Sequence, residues 1–226
     1  MNMPFYHELV AATEAERQAF LQIPAVMQGL QGDIPRSSYI AFLTQAYYHV
    51  RHTVPLLMAC GAALPQDKEW LRVAIGEYIE EEMGHQEWIL NDIEAAGGDR
   101  ERVRTGIPDF STEMMVSYAY DTIQRNNPVS FFGMVLVLEG SSVALASSAA
   151  GVLREKLDLP EAAFSYLSSH GSLDQEHIRF FESLMNRLES SEDKQAVLHA
   201  ASRFYQLYGN IFRSLPLNEN TQRVAA

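Results

Sequence analysis

Cysteine is nearly missing from this chain of 226 residues, with Cys60 standing alone. No intrachain disulfide can form, and neither a two-cysteine, two-histidine nor a four-cysteine zinc site can be assembled from one chain. Basic residues are scarce as well. Seventeen Lys and Arg face 29 Asp and Glu, giving a formal net charge of −12 with the histidines neutral, so a nucleic-acid backbone is repelled and no nucleic-acid partner is expected. The N-terminus, Met1-Asn2-Met3-Pro4-Phe5-Tyr6-His7-Glu8, has neither the basic start nor the apolar run of a secretory signal. Together with the lack of cysteine, this predicts a cytoplasmic protein. Repeats and low-complexity tracts are absent, and the longest loop-like stretch, Gly97 to Phe110, is too short to act as a linker between domains. A single domain over residues 1–226 is expected, with 216–226 as a loose polar tail.

What is present is ordinary globular composition, 47% apolar and 20% charged, enough to fill one core and incompatible with disorder, collagen or a coiled-coil rod. Apolar residues recur at three- and four-residue intervals with no sustained alternation, which predicts an all-α chain. Helices are expected over Phe5 to Gln22, in a short piece before Gly32-Asp33-Ile34-Pro35, and from a Ser37 or Ser38 cap to Ala62 with a kink at Pro55. Further helices follow over Asp67 to Ala96, from Ser111-Thr112 to Gln124, and from Asn127-Pro128 through an apolar stretch. Pro160 to Ser169, a helix through His177 to Leu188, and Glu192 to Leu215 complete seven or eight helices in a bundle. One segment, Phe131 to Leu153, approaches bilayer length with the single charge Glu139. Its six serines and glycines between Gly140 and Gly151, and the lack of a basic cluster before it, assign it to a buried helix and not to a membrane span.

Glu139 is the most informative residue. A carboxylate in the middle of Phe131-Phe132-Gly133-Met134-Val135-Leu136-Val137-Leu138 costs several kcal/mol if nothing compensates it. The compensating group is an Arg or Lys, a proton, or a metal ion on the inner face of a bundle. A second group lies in Tyr78-Ile79-Glu80-Glu81-Glu82-Met83-Gly84-His85, where Glu82 and His85 fall on one helical face a turn apart and Glu81 is the neighbouring option. A third is His170-Gly171-Ser172-Leu173-Asp174-Gln175-Glu176-His177, in which His170, Asp174 and His177 at i, i+4 and i+7 share one stripe. Three carboxylates with three imidazoles and no thiolate favour iron, with manganese open, over zinc, magnesium or calcium. Six donors exceed what one open ion needs and suit two ions. Tyr48, Arg51 and His52 in Tyr47-Tyr48-His49-Val50-Arg51-His52, with Tyr78 and Tyr118, are candidate walls of a substrate pocket, and packing is the competing role for each. Cys60, in an apolar setting, reads as a core thiol and not a nucleophile.

From Tyr39 to Glu189 these residues resemble the haem-oxygenase-like diiron oxidases and oxygenases, within the TenA and pyrroloquinoline-quinone-synthase-like superfamily. His85, the isolated Glu139 and His170-x₃-Asp174-x₂-His177 have the order and separations of the CADD-type p-aminobenzoate synthases. Those proteins place the first carboxylate seven positions before the histidine, where this chain has Tyr78. Glu82, three before His85, is similar to the UndA-type fatty-acid decarboxylases that make terminal alkenes. The resemblance implies a haem-oxygenase-like seven-helix bundle, two ferrous ions that react with O₂, and oxidation of a small or acyl substrate in the bundle core; relatives are often dimers. Three rivals stand beside it. A TenA-like thiaminase needs a cysteine in the central helix, where none occurs around Glu139. A haem oxygenase needs an axial histidine, for which His7 is available, and a glycine-rich distal helix, which is not evident. A non-catalytic or regulatory binding protein predicts a missing ligand, whereas all six positions are filled.

Overall fold

A computed structural model of the chain describes residues 3–217 and, within them, the side chains other than those of 143–147 and 170–176. Every regular element among the described residues is helical. The α-helices are α1 (Phe5–Ala12), α2 (Glu14–Leu21), α3 (Pro24–Gln31), α4 (Arg36–Val50), α5 (Thr53–Ala63), α6 (Glu69–Glu82), α7 (His85–Ala95), α8 (Arg100–Thr105), α9 (Phe110–Arg125), α10 (Phe131–Leu157), α11 (Ser165–Arg187) and α12 (Ser191–Ser214). The all-α expectation holds. The twelve helices exceed the expected seven or eight because three expected rods are split and the Gly97 to Phe110 stretch contains α8.

Each split has a local cause. The rod expected over Phe5 to Gln22 divides at Thr13, whose hydroxyl donates back to Leu9 O at 2.9 Å and competes with the helical ladder. The rod expected to kink at Pro55 is interrupted at Arg51 and His52. A proline ring crowds the carbonyl four residues before it, here that of Arg51, so the break sits one turn upstream of the proline. The rod expected over Asp67 to Ala96 breaks at Met83-Gly84, where Met83 is extended and Gly84 has φ 94°. In the opposite sense, the two helices expected over Pro160 to Leu188 are one: after a short 3₁₀ turn, α11 runs unbroken through His170, Asp174 and His177.

Two expected caps are corrected as well. Pro35, not a serine, precedes α4, and Ser38 Oγ donates to Pro216 O. Asp109 precedes α9, while Thr112 Oγ1 donates to Gln45 Oε1 at 2.6 Å, a buried bond between α9 and α4. Pro216 is therefore held against α4; residues 218–226 of the expected tail lie outside the described residues.

The apolar stretch forms the axis of the bundle. Residues 131–137 of α10 are all buried, and α11, α12, α3 and α9 pack around the helix. Its first half joins a core with Leu56, Ile75, Met115, Phe181 and Phe204; Ala150 and Leu153 near its end join a second core with Tyr39, Leu43, Ile89 and Phe164. Among the described residues no helix is long and apolar enough to cross a membrane.

The start of α11, which orients His177, is tied down by a buried carboxylate. Asp92 of α7 is fully buried and accepts hydrogen bonds from the backbone N–H of Ser165 (3.0 Å) and Tyr166 (2.8 Å) and from Ser165 Oγ. Burial pushes its carboxyl upward while these donors pull it down. Replacing Asp92 with alanine strands two helix-end donors, and a loss of about 2 kcal/mol of stability is expected. Denaturant unfolding of Asp92→Ala, with Asp92→Asn as the milder comparison, checks this.

Candidate metal centre

Four of the six expected ligands are described, and they form two carboxylate–imidazole groups beside one cavity. In the first, His85 Nδ1 lies 3.0 Å from Glu82 Oε2, with side-chain exposures of 5% and 12%. The two residues do not share a continuous helix, as the spacing alone implies. Glu82 is the last residue of α6, His85 the first of α7, and the left-handed Gly84 folds one against the other. The His85 ring stacks on Trp88 at 4.2 Å, which fixes its plane.

In the second group, His177 of α11 sits between two carboxylates. Its Nε2 is 2.8 Å from Glu81 Oε2 and its Nδ1 is 4.0 Å from Glu139 Oε1 of α10. Glu81 is half exposed, at 51%, whereas Glu139 is 16% exposed. The two neighbouring acids at the end of α6 are thus divided between the two histidines. Of the two, Glu82 is the less exposed and shares a cavity wall with Glu139.

The backbone of α11 puts His170, Asp174 and His177 on one stripe; the side chains of His170 and Asp174 lie outside the described residues. Among the described residues no three donors converge closely enough to hold an ion alone.

Glu82 and Glu139 line a cavity of about 660 Å³, counting its mouth, with His49, Thr53, Tyr78, Met134, Leu138, Ser142, Tyr166 and Tyr208 among the other walls. No Lys or Arg lines it among the described residues. Tyr78 points its hydroxyl into this setting, buried and without a hydrogen-bond partner among the described residues. Burial first, and then the charges of Glu139, Glu81 and Glu82, push that hydroxyl well above its ordinary value, so it keeps its proton. The donors present, carboxylate oxygens and imidazole nitrogens from separate helices with no thiolate among them, fit a hard to borderline metal.

Of the residues expected to form a substrate pocket, Tyr78 alone lines this cavity. Tyr48 is buried under Arg51, whose guanidinium lies 5.2 Å over its ring. His52 Nδ1 is 3.3 Å from the Tyr120 hydroxyl, and burial with the Arg51 charge holds its imidazole below the ordinary value. Tyr118 packs edge-on against Phe204 at 5.2 Å. The residue of that cluster which does reach the cavity is His49, 3% exposed and edge-on to Tyr208 at 5.9 Å. Its signal in the sequence is the pair Gln45 and His49, four apart on a face that also buries Ala46 and Val50.

The turn at Gly84 is the local device that brings Glu82 to His85. A Cβ there meets nothing within 4 Å, so Gly84→Ala acts through backbone conformation alone. We expect it to cost about 1 kcal/mol of stability and to weaken iron binding at least tenfold, measured by chelator competition.

The sequence model of the iron-containing redox enzyme family matches residues 40–209. No curated protein matches the chain. Among solved structures it is similar to a domain of unknown function with a heme oxygenase-like fold from Shewanella denitrificans, at 20% identity and TM-score 0.82, covering 95% of this chain and 93% of that one. It is similar to a TenA homolog from Pseudomonas syringae at 12% identity and TM-score 0.76, covering 93% and 91%. It also resembles heme oxygenase-1 from Synechocystis, solved with heme, at 10% identity and TM-score 0.74, covering 94% and 92%. At these identities the structures establish the heme oxygenase- and TenA-like fold, while the family match spans most of the chain, and the chain belongs to the family of iron-containing redox enzymes.

Proposed function

We propose that the chain is a non-haem iron oxidase or oxygenase that holds two iron ions, with manganese as the alternative metal, and oxidises a small organic or acyl substrate with O₂ inside the bundle. The observation that carries this reading is that Glu82, paired with His85, and Glu139, beside His177, line one cavity that no Lys or Arg lines among the described residues. Asp174 and His170, one turn and two turns before His177 on the same stripe of α11, complete the six-ligand set.

When bound, the iron supplies the electrons and the open coordination positions for O₂ chemistry. The chain's own residues do the rest. Glu82, His85, Glu139 and His177 would hold the metal, and the stacked Trp88 and the Gly84 turn keep His85 in place. Phe131, Met134, Val135 and Leu138 exclude water from one side of the cavity. Tyr78 presents a protonated hydroxyl to the reacting groups, and His49 faces the same space from α4.

The rival readings fit less well. Cys60 is fully buried in α5, donates its thiol to Pro128 O at 3.2 Å and is pushed up to about 12 by burial, which makes it a poor nucleophile. His7 has a 58% exposed side chain and lies 3.7 Å from Glu182 on the outer surface, away from the cavity. A non-catalytic binding role gives no account of clustered buried carboxylates, which are costly unless used.

Loading the protein with Fe(II) without oxygen and then mixing it with O₂ tests the proposal. The expected result is close to two irons per chain and a transient visible absorption band. Iron content near zero, unchanged in His177→Ala, contradicts it.

A further inference from the structure

Next to the metal-facing cavity lies a second one of different chemistry. It occupies about 830 Å³, counting its mouth, between α2, α3, α4, α10, α11 and α12, and among the described residues no charged side chain lines it. Its walls include Phe20, Leu30, Phe42, Ala149, Leu153 and Phe212. Three residues, Ser142, Tyr166 and Tyr208, belong to the walls of both cavities. Along α10, Glu139, Ser142, Ala149 and Leu153 follow at intervals of three, seven and four. They form one stripe about 21 Å long that passes from the carboxylates into the apolar space. Among the described residues, the charged side chains that line either cavity, Glu82 and Glu139, belong to the first.

From these shared walls we infer that the substrate spans both cavities: its polar, oxidised end lies beside Glu82, Glu139 and His49, and an elongated apolar body passes between Ser142, Tyr166 and Tyr208 into the apolar chamber. The inference rests on the proposed oxidase function only for the fate of the polar end; the binding of the body is independent of iron. Gly29 of α3 lines the wall of this chamber, and a Cβ built on it meets nothing within 4 Å. A larger side chain at this position therefore grows into the empty chamber instead of into the protein. Glycine is also the weakest helix former after proline, so the substitution does not penalise α3.

Binding of hexyl and decyl probes, as the n-alkyl alcohol, amine and carboxylate, tests the proposal on the full chain with and without iron. Each methylene transferred from water to an apolar wall tightens binding by up to about fourfold, so decyl probes are expected to bind at least ~10-fold more tightly than hexyl ones. In Gly29→Phe the decyl advantage disappears, hexyl binding stays within about twofold, and iron content is unchanged. Gly76→Phe, at an exposed glycine with equally open surroundings, keeps the wild-type pattern. Should Gly29→Phe not fold, Ala149→Phe fills the chamber from the α10 wall. Equal affinities for hexyl and decyl probes in the wild type, or a decyl advantage that survives filling of the chamber, overturn the inference. Failure to bind iron with the chain-length pattern intact overturns the proposed oxidase and leaves the chamber assignment standing. The head group with the tightest decyl binding identifies the polar end as alcohol, amine or acid.

Discussion

Glu139→Gln is expected to reduce iron from close to two ions per chain to one or fewer and to abolish the O₂-dependent absorption, while the iron-free protein melts no lower than the wild type. The reasoning is electrostatic. Glu139 is the single acidic residue on the first half of α10, and it faces Glu82 across the cavity and His177 at 4.0 Å. Burial first, and then the Glu139 charge, raise the Tyr78 hydroxyl beside it. Removing that charge relieves repulsion with Glu82 in the iron-free state and removes the carboxylate donor of the His177 group. Function and stability therefore move in opposite directions, a pattern a purely structural carboxylate does not give. Metal analysis with thermal unfolding on the same samples checks both halves. Full iron content in Glu139→Gln, or a melting temperature well below wild type, contradicts the assignment.

Gly133→Val is expected to cost about 3 kcal/mol, lowering the melting temperature by about 10 °C. Gly133 lies nearly two turns before Glu139 on α10, where the helix meets α12 at close quarters. A Cβ on Gly133 falls 2.5 Å from Ala201 N and 2.8 Å from both Ala200 Cβ and Val197 O. Two of those atoms are backbone, so no rotamer change relieves the contact and the helices must separate. The same displacement moves Glu139 relative to His177, and iron affinity is expected to fall with stability. Differential scanning calorimetry, together with iron titration of the folded fraction, measures the two effects.

Much of this was legible from residue pattern alone. The all-α architecture followed from periodicity, and the central placement of Phe131 to Leu153 followed from an apolar run that lacks the flanking charges of a membrane span. Glu139 stood out because an isolated carboxylate in such a run needs a cause. The Glu82–His85 pairing was also legible, although for an incomplete reason. Three-residue spacing puts two side chains together on a helix, but here a left-handed glycine between two helices does so. Gly84 was visible in the sequence; whether a glycine continues a helix or breaks it depends on what the two halves pack against, and that is tertiary information. The same limit applies to His49 and Arg51. Both lie in one polar-aromatic cluster, yet the break forced upstream of Pro55 turns Arg51 onto the Tyr48 ring and leaves His49 facing the cavity. The apolar chamber had no sequence signature, since Phe20, Phe42, Leu153 and Phe212 come from four helices and each reads as ordinary core.

The most direct measurement is anomalous diffraction at the iron edge from crystals grown without oxygen and loaded with Fe(II). The account predicts two peaks in the bundle core, one beside Glu82 and His85 and the other beside Glu139 and His177, with His170 and Asp174 completing the donor set. An absence of peaks at saturating Fe(II), or iron held at residues other than these six, contradicts it.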